Sequence, residues 1–297
     1  MKLSDAMREA ASMIAEASCT IERPRLEAEI LLRFHLSRDR VWIHTHIDDE
    51  LPHPDEYFAL VSRRARCEPI EYITSKAGFY GMDFHVETGV LIPRPETEIL
   101  VDFASEMVRE RGVKRIVEIG SGSGAISITL ASLFSHIDIV AGDISERALE
   151  ITRKNAERFG VSERVEIVRS SILDEIDGDF DMLVSNPPYI AEGTALESNV
   201  ADFEPHEALF CDGDGTSLLK NIVDCAIERR IPLVVCEMGY DQRESMERFF
   251  LRREIGDYRF YKDLSGLDRG FVLDLRTGGM ESRTPSKDID AKKENPS

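Results

Sequence analysis

The sequence predicts an α/β fold, a mostly parallel sheet covered by helices on both faces and preceded by a small helical domain. Three observations carry that prediction. From residue 113 onward, short apolar runs alternate with stretches of helical spacing, the pattern of parallel strands joined by crossover helices. The first of these runs ends in a glycine-rich turn that opens a helix. Before residue 75, by contrast, apolar residues recur only at helical spacing.

Taken in order, Met7, Ala10, Ala11, Ile14 and Ala15 form one helical stripe. Leu26, Ala28, Ile30, Leu31 and Leu32 begin a second, and Tyr57, Phe58, Leu60 and Val61 a third. This is the core of a small bundle, and no chemistry is visible in it. From Ala77 the pattern changes: residues 79–86 (FYGMDFHV) alternate around a glycine, which predicts a short hairpin linking the domains. Residues 91–98 (LIPRPETE) make a rigid turn in which Pro95 or Thr97 opens a helix running to about Arg109. Strands are expected at 113–119, 136–142, 164–169, 180–185 and 231–238, with a final pair near 258–262 and 270–276. No helix fits between the last two, so they form an antiparallel edge hairpin. The expected boundaries are a helical domain over 1–75, a hairpin linker over 76–92 and an α/β domain over 93–276. The polar tail over 277–297 reads as disordered.

Composition narrows the function. At 297 residues the chain has room for two unequal domains, and 42% apolar content supplies a core. The net charge of −19 and the lack of any basic stripe argue against a nucleic-acid substrate, which needs a cationic footprint. The short cluster Arg63, Arg64 and Arg66 reads as a solvated helix face. The five cysteines, Cys19, Cys67, Cys211, Cys225 and Cys236, are scattered and include no Cys-x-x-Cys pair. Neither a disulfide framework nor a zinc knuckle is expected, and a reducing cytosol fits best. Nothing in Met1–Glu9 reads as a secretory signal, and no apolar run reaches the ~18 residues that cross a bilayer.

Two motifs carry chemistry. Asn186-Pro187-Pro188-Tyr189 follows an apolar strand directly. Paired prolines remove two backbone donors and fix φ, so the strand must stop in a stiff turn. That turn lies at the carboxyl end of a strand, where open α/β sheets bind ligands. It offers an amide (Asn186), a free carbonyl (Pro188) and an aromatic face (Tyr189), a set that suits a planar NH2 group. The second motif is Gly120-Ser121-Gly122-Ser123-Gly124, between a strand and a helix. Its backbone admits close approach of a ligand to the helix N-terminus. Asp143, at the end of the next strand, can accept both hydroxyls of a ribose. The same loop also satisfies the dinucleotide fingerprint through Gly120, Gly122 and Ala125, so a nicotinamide enzyme stays open at this point. Asp143 as a mere helix cap is the other reading.

Over roughly residues 5–276 the chain resembles the HemK/PrmC family of peptide-chain-release-factor glutamine N5-methyltransferases. The matching pieces stand in the family's order: Arg63-Arg64, residues 68–73 (EPIEYI), 91–98 (LIPRPETE), 118–125 (EIGSGSGA), Asp143, 184–190 (VSNPPYI), 203–209 (FEPHEAL) and Asp214-Gly215. The NPPY turn alone is shared with adenine and cytosine amino-methyltransferases; combined with the PRPETE and FEPH segments it is far more specific. The resemblance implies a seven-stranded, Rossmann-like, S-adenosylmethionine-dependent methyltransferase sheet with a small helical N-terminal domain. It implies that Gly120 to Gly124 face the methionine part of the cofactor, Asp143 its ribose and Ile172 its adenine. Asn186 would contact cofactor and substrate, with Pro187, Pro188 and Tyr189 lining the glutamine site. Ser171 departs from the family, whose members often carry an acid there. The implied partner is a release factor, met in the cytoplasm, with no metal, membrane or direct nucleic-acid contact. A ribosomal-protein glutamine and a nucleic-acid adenine are the alternative substrates.

An amide nitrogen is a weak nucleophile because its lone pair is delocalised into the carbonyl. A sulfonium methyl is already electrophilic, so no base must ionise the amide first. Holding the groups in line is then the main task, an effect worth on the order of 7–11 kcal/mol.

Overall fold

The computed structural model describes residues 1–277, so the tail expected to be disordered lies, from residue 278, outside the described residues. The chain divides into two compact units. The first comprises Met1–Lys76 with Val86–Thr88 and Ala195–Glu204; the second comprises Ala77–His85, Gly89–Thr194 and the residues from Pro205 on.

The first unit contains α1 (Leu3–Ala15), α2 (Pro24–Leu36), α3 (Arg40–Thr45), α4 (Pro54–Ala65) and α5 (Ile70–Thr74). The predicted stripes supply its core: Ala10, Ala11 and Ile14 of α1, Ala28, Leu31 and Leu32 of α2, and Tyr57 and Val61 of α4 are buried together. The short helices α3 and α5 escaped the sequence reading because five or six residues complete too few turns to show a period.

Two expectations fail here. Cys19 and Cys67 form a disulfide, with Cα atoms 5.8 Å apart across 48 residues of sequence. The chain ends of α1 and α4 bring the two cysteines together, which linear spacing could not show. Cys211, Cys225 and Cys236 are free. The second failure is Arg64, which is not solvated: it is buried and pairs with Glu27 of α2, while Arg63 pairs with Glu68.

The second unit opens with the predicted hairpin, β1 (Ala77–Phe79) and β2 (Met82–Phe84), followed by α6 (Thr97–Arg111). Then come β3 (Arg115–Ile119), α7 (Ala125–Leu133), β4 (Asp138–Asp143), α8 (Glu146–Arg158), β5 (Val165–Arg169) and β6 (Met182–Ser185). A two-residue pair, β7 (Ile190–Ala191) and β8 (Phe210–Cys211), runs parallel beside the main sheet. The one-turn helix α9 (Ser198–Ala201) lies between them in sequence and belongs to the first unit. The unit closes with α10 (Ser217–Glu228), β9 (Leu233–Glu237), α11 (Arg243–Arg252), β10 (Tyr258–Lys262) and β11 (Asp268–Asp274).

The main sheet has seven strands in the order β10-β11-β9-β6-β3-β4-β5. Only β11 runs antiparallel to its neighbours, so the expected edge hairpin is present. Alternation along the strands splits the core in two. Ile116, Ile139, Met182, Val184 and Val235 face one side with α6 and α7; Val117, Val140, Leu183 and Val234 face the other with α10 and α11. Chain order reverses at β3, with β4 on one side and β6 on the other, which places a crevice at their carboxyl ends.

Candidate active site

At that crevice lies a cavity of about 470 Å³, built wholly from the second unit. One wall is the glycine turn between β3 and α7. Gly120, Gly122 and Gly124 all have left-handed φ, at 75°, 56° and 78°. Gly120 and Ser121 donate their N–H groups to the Gly142 carbonyl, which ties the turn to β4. From α8, Thr152 donates to the Gly122 carbonyl and Asn155 to the Ser123 carbonyl. Gly120, Ser121, Gly122 and Ser123 line the cavity. Gly124 does not; it is buried behind the wall, where a Cβ would strike Ile128 and Thr152.

Asp143 lines the same wall from the end of β4. Its Oδ2 accepts from Gly122 N–H and its Oδ1 from Ser145 N–H, each at 2.9 Å. Burial raises its carboxyl pKa, against which those backbone donors work. Ser145 caps α8 through its own hydroxyl, so capping is not the work of Asp143. Ile172 completes this side with a φ of 54°. Left-handed backbone is costly for a β-branched residue, and such strain concentrates at ligand sites.

Behind the glycine wall stands Glu118, 1% exposed. Its Oε2 accepts from Ser127 N–H of α7 at 3.1 Å, while its buried Oε1 has no hydrogen-bond partner among the described residues. Burial pushes its pKa up to about 8, and the Asp143 charge adds to the rise. An orphaned acceptor in a cavity wall is the mark of a site for a ligand with N–H or cationic groups.

The opposite wall is the turn after β6. Asn186, Pro187 and Pro188 line the cavity; Tyr189 does not. The Tyr189 hydroxyl instead donates to Glu237 Oε1 at 3.0 Å, and its pKa is raised by burial. Glu237 ends β9, is 1% exposed, and its other oxygen accepts from the Thr97 hydroxyl at 2.7 Å. Thr97 in turn accepts from Asn186 Nδ2 at 3.1 Å. Burial raises the Glu237 pKa to about 7 although both donors oppose the rise. Gln242 donates to the Tyr189 carbonyl at 2.7 Å and accepts from Gly239 N–H. Gly215 explains itself at the same place: a Cβ there would collide with the Tyr189 carbonyl.

Comparisons with known proteins identify the family. Residues 96–208 match the methyltransferase small domain, and residues 5–74 match the PrmC N-terminal domain. A release factor glutamine methyltransferase of Clostridium acetobutylicum is 33% identical over 94% of this chain and 100% of its own length. The chain belongs to the release factor glutamine methyltransferase family. Another member, from Dictyoglomus turgidum, is 41% identical over 83% of each chain. Among solved structures, the catalytic domain of human METTL16, in complex with an RNA hairpin, superposes with a TM-score of 0.56 at 13% identity over 70% of this chain and 79% of that one. At that identity the likeness speaks for the fold alone.

Four residues that line or brace the candidate site went unassigned in the sequence. Glu118 was visible inside the glycine motif and Thr97 inside PRPETE, but neither spacing states a contact. Glu237, inside the apolar run over 231–238, and Gln242, just after it, had no further local signal. Only the sheet order, with β9 beside β6, brings them to the turn.

Proposed function

We propose that this chain transfers a methyl group from S-adenosylmethionine to the side-chain amide nitrogen of the glutamine in the Gly-Gly-Gln loop of peptide chain release factors, in the cytoplasm. One observation carries the reading: a rigid Asn-Pro-Pro turn faces a glycine loop and a carboxylate across one cavity at the carboxyl ends of β3, β4 and β6. When bound, the cofactor supplies a methyl group on a positively charged sulfur. The residues present suit it. Gly120 to Ser123 offer backbone to its methionine part, with the orphaned Glu118 oxygen behind them as an acceptor. Asp143 takes the ribose hydroxyls, and Ile172 packs on the adenine.

The chain's own part in the reaction is to hold an amide. Asn186 Oδ1 and the Pro188 carbonyl accept the two N–H bonds of the glutamine NH2. Both acceptors are neutral, so neither brings a desolvated charge into the site. Their hydrogen bonds draw electron density onto nitrogen and aim its lone pair. Pro187 and Pro188 wall the side chain, and Tyr189 closes the turn. The helical first unit, which carries none of these groups, is assigned to docking the protein substrate. No helix among the described residues is long and apolar enough to cross a membrane, in keeping with an enzyme that meets its substrate in solution. The charge of −19 repels phosphate, so free DNA and RNA are poor substrates.

The test presents labelled S-adenosylmethionine with purified release factor, its Gly-Gly-Gln glutamine changed to Glu, or duplex DNA. Label on the wild-type release factor alone is expected, because a carboxylate lacks the two donors that the turn requires. Label in DNA, or equal label in the Glu variant, would overturn the reading.

A further inference from the structure

We propose that Glu237 and Thr97 are positioning residues that fix the direction of the Asn186 amide, turning its oxygen toward the substrate. The proposal rests on the reading of Asn186 as the acceptor of the glutamine NH2. It follows from counting hydrogens. A threonine hydroxyl has one proton to give. Thr97 gives it to Glu237 Oε2 at 2.7 Å, so its oxygen can only accept from the Asn186 amide. The group facing Thr97 must then be Nδ2, and Oδ1 is left as the acceptor branch on the other side of the planar amide. The other half of the carboxylate is fixed in the same way. The Tyr189 phenol also has one proton to give, and it spends that proton on Glu237 Oε1 at 3.0 Å. A doubly accepting carboxylate thus sets every donor in the chain from Tyr189 to Asn186.

Replacing Glu237 by glutamine reverses the chain without removing an atom of bulk. The phenol still has a proton to place, so the glutamine oxygen faces Tyr189 and its NH2 faces Thr97. Thr97 now accepts from that NH2 and must donate onward, which draws Asn186 Oδ1 round to it. Nδ2 then points at the substrate and repels its N–H groups. Protonating Glu237 on Oε2 does the same. Several charged or titratable groups face Glu237. They are Tyr189 from the turn, Arg269 of β11 with its partner Asp263, Tyr261 of β10, and Glu96 before α6. Burial holds the Glu237 pKa near 7, above its ordinary value. The active, ionised form therefore dominates above that pH and is lost as pH falls through it.

The experiment measures kcat on purified release factor at saturating cofactor from pH 5.5 to 9, with cofactor Kd by calorimetry and melting as a check on folding. Wild-type kcat should rise to a plateau with a midpoint near 7. Thr97→Val, which keeps the shape, should lower kcat by about tenfold, the loss of one neutral hydrogen bond, and flatten the profile. Thr97→Ser, which keeps the hydroxyl, should restore both. Glu237→Gln should stay at the low, flat level at every pH, with cofactor Kd unchanged. Rescue failure by Thr97→Ser would mark the site as packing only and overturn the proposal. So would wild-type kcat and midpoint in Thr97→Val. If Glu237→Gln does not fold, the two Thr97 variants and the wild-type profile still decide. An active wild type with unaltered variants overturns the relay alone; an inactive wild type overturns the functional reading and the relay with it.

Discussion

The two walls of the cavity are each backed by a buried carboxylate, and the two carboxylates are used differently. Glu237, behind the Asn-Pro-Pro-Tyr turn, has both oxygens engaged by Thr97 and Tyr189. Glu118, behind the glycine turn, has one oxygen engaged by Ser127 and one with no hydrogen-bond partner among the described residues. A saturated carboxylate stiffens what surrounds it, whereas a half-saturated one keeps capacity for a ligand. The glycine wall is also held largely by its own backbone and by α8, its neighbour in sequence. The proline wall is held from far away, by the start of α6, the end of β9 and Gln242 before α11. In the proposed function one wall reads a ligand with backbone, and the other holds one side chain in one direction.

The sharpest way to break this comparison is Asn186→Ala. Deleting one preorganised polar contact costs roughly 10²–10³ in rate by analogy with other enzymes. The glycine wall and Asp143 are untouched, so cofactor Kd should move only a few-fold. Single-turnover methylation measured beside calorimetry checks both halves. A variant that transfers methyl at the wild-type rate would remove Asn186 from the proposed role.

Asp143→Ala probes the opposite wall and should show the opposite split. It removes a charged acceptor from the proposed ribose site, and a hydrogen bond to a charged group is worth roughly 1.5–3 kcal/mol. Cofactor Kd should rise by roughly ten- to a hundredfold, while kcat at saturating cofactor stays close to wild type. Asp143 also accepts from Gly122 and Ser145, so part of the loss will come from a loosened turn. Equal losses in Kd and kcat for both variants would mean that the walls do not divide the work.

What the sequence made legible follows the same division. The glycine wall is a local device: its glycines, its helix and Asp143 fall within 24 residues, and a spacing rule finds all of them. The proline turn is local as well, and Pro187-Pro188 announce it. Its bracing is not local. Thr97 lies 89 residues before Asn186, and Glu237 lies 48 residues after Tyr189. Period and propensity report what a residue does to its own backbone, and these contacts exist only once β9 is seated beside β6. Tyr189 shows the consequence. Its ring was expected to line the glutamine site, yet its hydroxyl is committed to Glu237 and the ring lies outside the cavity wall. The Cys19–Cys67 disulfide and the Arg64–Glu27 pair were hidden for the same reason.

The smallest effect concerns Glu118, and it tests whether an unsaturated carboxylate is a cost to the ligand-free protein. Burial, with the Asp143 charge behind it, lifts the Glu118 pKa to about 8 in the folded chain. The unfolded value is the ordinary carboxylate value of about 4.3. Between those limits the folded state keeps a proton that the unfolded state has released, so stability falls as pH rises through that window. It is fully present below the unfolded pKa and lost by the time the folded pKa is passed. Glu118→Gln keeps the shape, retains a group able to accept from Ser127, and cannot ionise. Melting temperatures of the ligand-free protein should therefore decline more gently from pH 5 to 9 in the variant than in wild type. Glu237, with its own raised pKa near 7, should preserve part of the slope. The contrast between the carboxylates then becomes measurable: the Gln variant at Glu118 should gain stability at pH 8 while losing cofactor affinity. A variant whose melting temperature falls as steeply as wild type would show that the Glu118 proton is not the source. The saturated and unsaturated carboxylates would then differ in geometry alone.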